Sequence, residues 1–291
     1  MIVDRAFLEQ SADRYLDALG RRDPSRLALH PDFRLTENGQ LLELGDGLWG
    51  TASARGGYEH VVVDPDTGGI AVTAVMREND RPVIVAIRLA MRDGLLAEAE
   101  MVVSRTDILF YRNGPQNLEA QGGPLPIWTE IVPEGERASR EQLIELAEAY
   151  FNTLERNDGR TIAPFEEGCR RTDNGVFATQ APELDADGSE PFYALGPAGQ
   201  FALGYFIFVT AIRERRHVVM DVERGVIACC AFLDHAGTIH EARLTDGRIV
   251  PVNVKQPFSW QVIELFKIRG GRIAQIEAIL NMVPYRMRSG W

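Results

Sequence analysis

Cysteine is scarce. Only Cys169, Cys229 and Cys230 occur in 291 residues. Adjacent cysteines do not easily bridge and the count is odd, so no disulfide framework organises the chain. Long apolar runs are also lacking. The most apolar stretch, "FALGYFIFVTAI" at 201–212, falls short of the roughly 18 residues of a membrane span, and it reads as a buried strand. The opening "MIVDRAFLEQSADRYL" has neither the apolar core nor the small-residue cleavage site of a secretory signal. Positive charge is outweighed: 31 Lys and Arg against 42 Asp and Glu leave a net charge of -11. A nucleic-acid partner would need a basic face. These absences lead us to expect a cytoplasmic protein with neither nucleic acid nor membrane as partner.

Several chemistries are missing as well. There is no P-loop, no nucleophile elbow and no Cys-His protease pattern. "GDGLWG" (45–50) is glycine-rich but is not a dinucleotide fingerprint between strand and helix. It reads as a bent hairpin that brings Trp49 to a pocket. His235 and His240 in "HAGTIH" lack a third ligand at zinc spacing, so they read as loop residues. The expected chemistry therefore uses no cofactor and no metal.

The chain does contain itself twice. "RLTENGQ" (34–40) returns as "RRTDNGV" (170–176), offset by 136. "RYLDALGRRD" (14–23) matches "AYFNTLERND" (149–158) at 135, and "HVVVD" (60–64) matches "HVVMD" (217–221) at 157. "RDG" (92–94) matches "RGG" (269–271) at 177, and Glu100 then falls on Glu277. Matches in one order mark a duplication, and the growing offset marks insertions near 178–204 and 236–258. The expected domains are 1–112 and 138–291, joined at 113–137 by a Gly- and Pro-rich linker that reads as an extended crossover.

Each copy begins with an amphipathic helix. Phe7, Ala12, Tyr15, Leu16 and Leu19 share a face in the first, and Leu143, Leu146, Ala147, Tyr150 and Leu154 in the second. Ser139 and Gln142 make a capping box. A short helical turn is expected near 23–29 and again near 158–165. Asn38-Gly39 and Asn174-Gly175 then mark tight hairpins, and alternating apolar runs predict an antiparallel meander with turns at "MRDGLL" and "IRGGRI". The predicted fold class is α+β: two tandem cone-shaped barrels, each with helices packed on a curved antiparallel sheet, pairing as an intramolecular pseudo-dimer.

The order helix with "Y-x-x-x-L-x-x-x-D", short helix, carboxylate-bearing hairpin, then four-strand meander resembles the NTF2-like superfamily. That group includes SnoaL-like cyclases, ketosteroid isomerase, scytalone dehydratase and limonene epoxide hydrolase. The resemblance to ketosteroid isomerase implies an oxyanion donor at Tyr15 or Tyr150 and a proton-moving carboxylate at Glu37 or Asp173. That family's further donor, a protonated Asp on a later strand, finds no match in this sequence.

From the residues alone, Glu37 and Asp173 have two readings. Facing an apolar cone, they would be desolvated toward general-base strength; facing water, they are turn residues beside Asn-Gly. Tyr15 and Tyr150 are oxyanion donors or packed helix residues. His60 and His217 are proton shuttles or structural histidines. Each lies about 13 Å from Asp64 or Asp221 along its strand, so neither pair forms a direct dyad. Glu100 and Glu277 face either the pocket or the outer side of the sheet, and Arg88, Arg105 and Lys255 are candidate positive charges. Asn38, Asn174, Trp49, Tyr58, Asp64, Asp221, Tyr193 and Trp260 are the candidate substrate-binding residues.

The expected activity is cofactor-independent acid–base catalysis by a lyase, dehydratase or isomerase. Its ligand would be a small hydrophobic or aromatic molecule, such as a lignin-derived or polyketide-like compound, since cofactorless lyases of that kind resemble this pattern. The alternative is a non-catalytic small-molecule-binding or scaffold protein. Whole chains could also associate as a homo-oligomer, with 236–258 as contact or lid.

Overall fold

The computed structural model describes residues 3–105, 112–160, 162–184 and 192–291. Helix α1 (Arg5–Arg21) starts where the Asp4 carboxylate accepts from the Phe7 amide at 2.9 Å, and it ends at Arg22 in the left-handed region. A 3-10 turn (Pro24–Arg26) leads into β1 (Leu29–Glu37) and β2 (Gln40–Leu42), then a single helical turn α2 (Leu48–Thr51). The meander follows as β3 (Ala52–Asp64), β4 (Gly69–Glu78), β5 (Arg81–Arg92) and β6 (Leu95–Ser104).

After α3 (Gly114–Gln121) and α4 (Pro126–Thr129), the pattern restarts. Helix α5 (Arg140–Arg156) opens on the expected capping box of Ser139 and Gln142. Then come β7 (Phe165–Asp173), β8 (Val176–Phe177), α6 (Pro197–Ala202), β9 (Ala211–Asp221) and β10 (Val226–His235). A small hairpin of β11 (Glu241–Arg243) and β12 (Ile249–Pro251) precedes β13 (Phe258–Arg269) and β14 (Arg272–Val283).

The two six-stranded sheets have matching order, β2-β1-β6-β5-β4-β3 and β8-β7-β14-β13-β10-β9. The chain is thus α+β, two cones in tandem. Each meander is antiparallel, but β1 lies parallel to β6 and β7 parallel to β14, because the hairpin strand docks beside the last strand and runs with it. Both hairpins turn on Asn and Gly at positive φ (Asn38 48°, Gly39 79°; Asn174 45°, Gly175 75°), the signature of a type I′ turn. Among the described residues no helix is long and apolar enough to cross a membrane.

Four local expectations give way. Residues 201–212 are not one strand: α6 ends, Gly204 turns at φ 67°, a 3-10 segment covers Tyr205–Phe208, and β9 starts only at Ala211. "GDGLWG" is not a hairpin but leads into α2. The linker is not an extended crossover: Pro115 at the start and Gly122 at the left-handed end bound α3, and buried Leu118 and Trp128 anchor the segment. Between 158 and 165 no helical turn forms among the described residues.

Strand alternation gives each sheet two apolar faces. One packs on its helix. The other packs on the second sheet, where Tyr58, Val75, Ile84 and Val102 meet Cys230, Ile263 and Ile279. The contact is reciprocal. Arg5 grips Asp221 with two bonds of 2.8 Å, and Arg140 grips Asp64 with bonds of 2.6 and 3.0 Å. Each arginine opens one cone's helix and reaches the end of the other cone's β9 or β3. The segments beyond each last strand also cross over. α3 lies on the Asn174-Gly175 turn, where a Cβ on Gly175 would strike the Gly114 carbonyl, and Met287 lies on Gly39.

Candidate active site

The interior of the first cone is filled. Tyr15 and Trp49 meet edge to face at 5.4 Å; the indole Nε1 donates to the Tyr15 hydroxyl at 3.1 Å, which donates to Met101 Sδ at 3.2 Å. Burial holds the Tyr15 phenol above the usual tyrosine range. Glu37 is buried, but its oxygens are committed: it accepts from the Leu48 amide at 2.7 Å, capping α2, and from Arg105 at 2.7 Å. The Asn38 side chain accepts from the Val103 amide and donates to the Val103 carbonyl, pinning the hairpin to β6.

The second cone keeps polar groups inside. On β13, Phe258, Trp260, Val262, Glu264 and Phe266 alternate onto the helix-facing side, so the strand carries one carboxyl into an aromatic interior. Tyr150 on α5 packs 4.9 Å from Phe266 and 5.6 Å from Phe201. Its hydroxyl lies beside the Glu264 carboxyl group, near enough for each to shift the other's proton affinity. Burial, followed by the nearby charge of Asp173, raises the Glu264 carboxyl to about 8. Burial and the Glu264 charge push Tyr150 well above the tyrosine range. Glu264 therefore holds its proton at neutral pH, and a buried neutral acid can donate a hydrogen bond.

Asp173 ends β7 and lies opposite Ala278. Arg171 sits two residues earlier on the same face; its Nε donates to Asp173 Oδ2 at 3.3 Å, and its terminal nitrogen to Gln200 Oε1 at 3.1 Å. The guanidinium lies 5.5 Å from the Phe206 ring. Asn174 repeats the role of Asn38, with bonds of 2.9 and 3.0 Å to the Leu280 amide and carbonyl.

Of the sequence candidates, the structure brings together Tyr150 and Asp173, with Trp260 further along the same face. Tyr193 is half-buried, edge to face with Phe192 at 5.3 Å, in an aromatic cluster with Tyr205, Phe206 and Phe208 beside Phe201. The remaining candidates lie elsewhere. Tyr58 and His60 face the second sheet, where Glu277 accepts from Tyr58 at 3.0 Å and stands 3.3 Å from His60 Nδ1. Burial alone would raise Glu277, but His60, Thr73 and Tyr58 together hold it below the usual carboxylate range. Glu100 lies on the same outer face, bridged by Arg88 and Arg216. Asp64 and Asp221 are the inter-cone ion-pair carboxylates. A surface hollow of about 380 Å³ lies between them, and another of about 580 Å³ lies beside the start of α5. His217 stands 3.1 Å from Glu148 of α5; burial lowers it despite that charge.

Sequence reading missed Glu264, Arg171 and Gln200. The first two had a signal, since Glu264 shares the parity of Trp260 and Phe266, and Arg171 that of Asp173. Gln200 had none, because it arrives on α6 within the insertion.

Residues 136–280 match a family described as a domain of unknown function (DUF8021). No curated protein matches the chain. Among solved structures, a protein of unknown function with cystatin-like fold from Methylobium petroleophilum PM1 is similar at 15% identity and a TM-score of 0.31, over 37% of this chain and 82% of its own. A de novo designed protein with a curved β-sheet is similar at 16% identity and a TM-score of 0.30, over 35% of this chain and 88% of its own. A protein described as a putative ketosteroid isomerase from Kribbella flavida DSM 17836 is similar at 17% identity and a TM-score of 0.28, over 39% of this chain and 89% of its own.

Proposed function

We propose that the chain is a cofactor-independent acid–base enzyme, a lyase, dehydratase or isomerase of NTF2-like kind, whose working site is the second cone. Its domains would be 1–112 and 138–291. The observation that carries this reading is Glu264, a carboxyl buried in an aromatic interior beside Tyr150 and facing the charge of Asp173, which together with burial keeps its proton on near neutral pH. It stands on a later strand, as does the acidic donor of the ketosteroid isomerases that this chain resembles.

The chemistry divides among these groups. Tyr150 and Glu264 donate to a carbonyl or hydroxyl oxygen as it becomes an oxyanion, a contribution of about 10²–10³ per donor. Asp173 removes the proton from the neighbouring carbon or hydroxyl and returns it at a second position or lets a leaving group depart, worth about 10²–10⁴. The walls of Phe165, Phe201, Phe206 and Phe266 suit a hydrophobic, aromatic or polycyclic substrate. Among the described residues the Phe192–Tyr205–Phe206 cluster borders the site, and a ligand would enter by displacing its side chains.

A thermal-shift screen of phenolic and polycyclic carbonyl compounds identifies ligands. Deuterium incorporation from D₂O and mass spectrometry of the products then report proton transfer. D173N and E264Q should each lose about 10²–10³ in rate while still binding, and E37Q should lose none. Undiminished exchange in the D173N/E264Q double variant sinks the enzyme reading. A non-catalytic binding or scaffold protein is the second reading, and the Tyr15–Trp49–Met101 packing that fills the first cone favours the scaffold form there.

A further inference from the structure

Gln200 is fully buried within the second cone, and its amide is spoken for. Oε1 accepts from Arg171 at 3.1 Å, and Nε2 donates to the carbonyls of Ala178 at 2.7 Å and Phe192 at 3.3 Å. One side chain thus joins the backbone just after β8 and the backbone just before α6 to the guanidinium. A Gln with its oxygen and both N–H groups used in this way has little left to offer a substrate. It comes from α6, in a place where the first cone has only the single turn α2. There, the β1 residue matching Arg171 is Leu35, and no such anchor is needed.

Arg171 is itself buried and reaches Asp173 through one hydrogen bond, from Nε. A guanidinium beside a carboxylate in an apolar interior favours the two-pronged, fork-to-fork pairing, which is stronger and better aligned. What opposes that pairing here is the pull of Gln200 on the terminal nitrogen, away from Asp173.

We propose that Gln200 is a positioning residue: it holds the Arg171 guanidinium back from a two-pronged clamp on Asp173, and so sets how strongly that guanidinium screens Glu264 from the Asp173 carboxylate. The proposal rests on the second cone being the working site. It assigns the insertion a task, to carry the anchor that sets the electrostatics of the hairpin carboxylate. The groups that sense the result are those facing Glu264: Tyr150 from α5, Arg171 and Asp173 from β7, and Cys229 from β10. Asp173 helps Glu264 to hold its proton, so a clamp that neutralises Asp173 loosens that proton.

The test compares the full chain with Gln200→Leu and Gln200→Glu. Crystal structures report the Arg171–Asp173 geometry. Infrared difference spectra against Glu264→Gln, taken across pH, report the protonated carboxyl of Glu264. In Q200L both Asp173 oxygens should lie within hydrogen-bond distance of the guanidinium, and the proton affinity of Glu264 should fall about tenfold. Q200E, which keeps an acceptor for Arg171, should retain the single bond and titrate no lower than the wild type. Gln200→Met replaces Q200L if the latter does not fold. An unmoved guanidinium with unchanged titration in Q200L, or an equal fall in both variants, overturns the proposal. Neither readout needs a substrate, so they remain decisive even if no compound is turned over. Once a substrate is in hand, Q200L should lower kcat with little change in KM, and Q200E should recover it.

Discussion

Glu264 and Ile87 occupy the same place in the two cones. Glu264 pairs with Ala278 on the last strand, and Ile87 pairs with Met101, each beside the hairpin acid of its own copy. One duplication has thus produced two interiors: an apolar one sealed by Met101, and one in which a small Ala278 leaves a carboxyl facing Tyr150.

The raised Glu264 carboxyl makes stability depend on pH in a defined direction. The folded state holds the proton to about 8, whereas an unfolded Glu releases it near 4.3. The stabilisation is complete below the unfolded value and is lost as pH rises through the folded one. Between about pH 5 and 8, E264Q should therefore lose less stability than the wild type, by up to about 1.4 kcal/mol per pH unit. Urea titrations at several pH values measure it; parallel slopes would show that Glu264 is ionised in the folded protein.

The reciprocal ion pairs predict acid sensitivity. Burial alone would raise Asp64, but bonds from Arg140, Thr67 and the Met220 amide hold it below the usual carboxylate range. Its stabilisation is present above that range and fades as pH falls through the lowered value. Arg140→Ala leaves a buried carboxylate without its main partner and should cost about 3 kcal/mol at pH 7, with much less cost near pH 3. Arg5→Ala should act additively with it, since the two pairs share no partner.

His60 offers a separation of structure from chemistry. Removing it as His60→Leu strips the ionised Glu277 of a partner between the sheets and should cost about 3–5 kcal/mol. The rate per folded molecule should hold, because the cluster faces away from both cone interiors. A rate loss beyond the folded fraction, in a stopped assay with chemical denaturation as control, would place His60 in the reaction.

The legible parts of the fold were those that local chemistry decides. The Asn-Gly turns, the Ser139–Gln142 cap and the strand alternation are written in neighbouring residues, and the twofold repeat set the same order for both sheets. Strand parity told which residues share a face but not what that face meets. His60, Asp64 and Glu277 read as pocket candidates because nothing local says that a second sheet covers them. The difference between the two copies stayed hidden for a related reason: Glu37 and Asp173 look alike in sequence, and only long-range packing shows that Glu37 caps α2 while Asp173 faces Glu264. Gln200 depends on an insertion folding back, which no period encodes.

The sealed first cone yields a last prediction. Met101 stands beside Glu37 where the second cone has the smaller Ala278 beside Asp173, and its sulfur accepts the Tyr15 hydroxyl. Met101→Ala removes buried volume and that acceptor together, so the cost should be about 2–5 kcal/mol, set by how far Trp49 and Tyr15 can relax. Substitution by Leu keeps the volume and loses only the weak bond, so it should cost less than about 1.5 kcal/mol. Neither change touches the second cone, and ligand affinity there should be unaltered once unfolding is accounted for. Denaturant unfolding with isothermal titration of the best screened ligand checks both. If M101A instead gains a second binding event, the two cones differ by little more than what plugs them, and the first can be reopened by a single side chain.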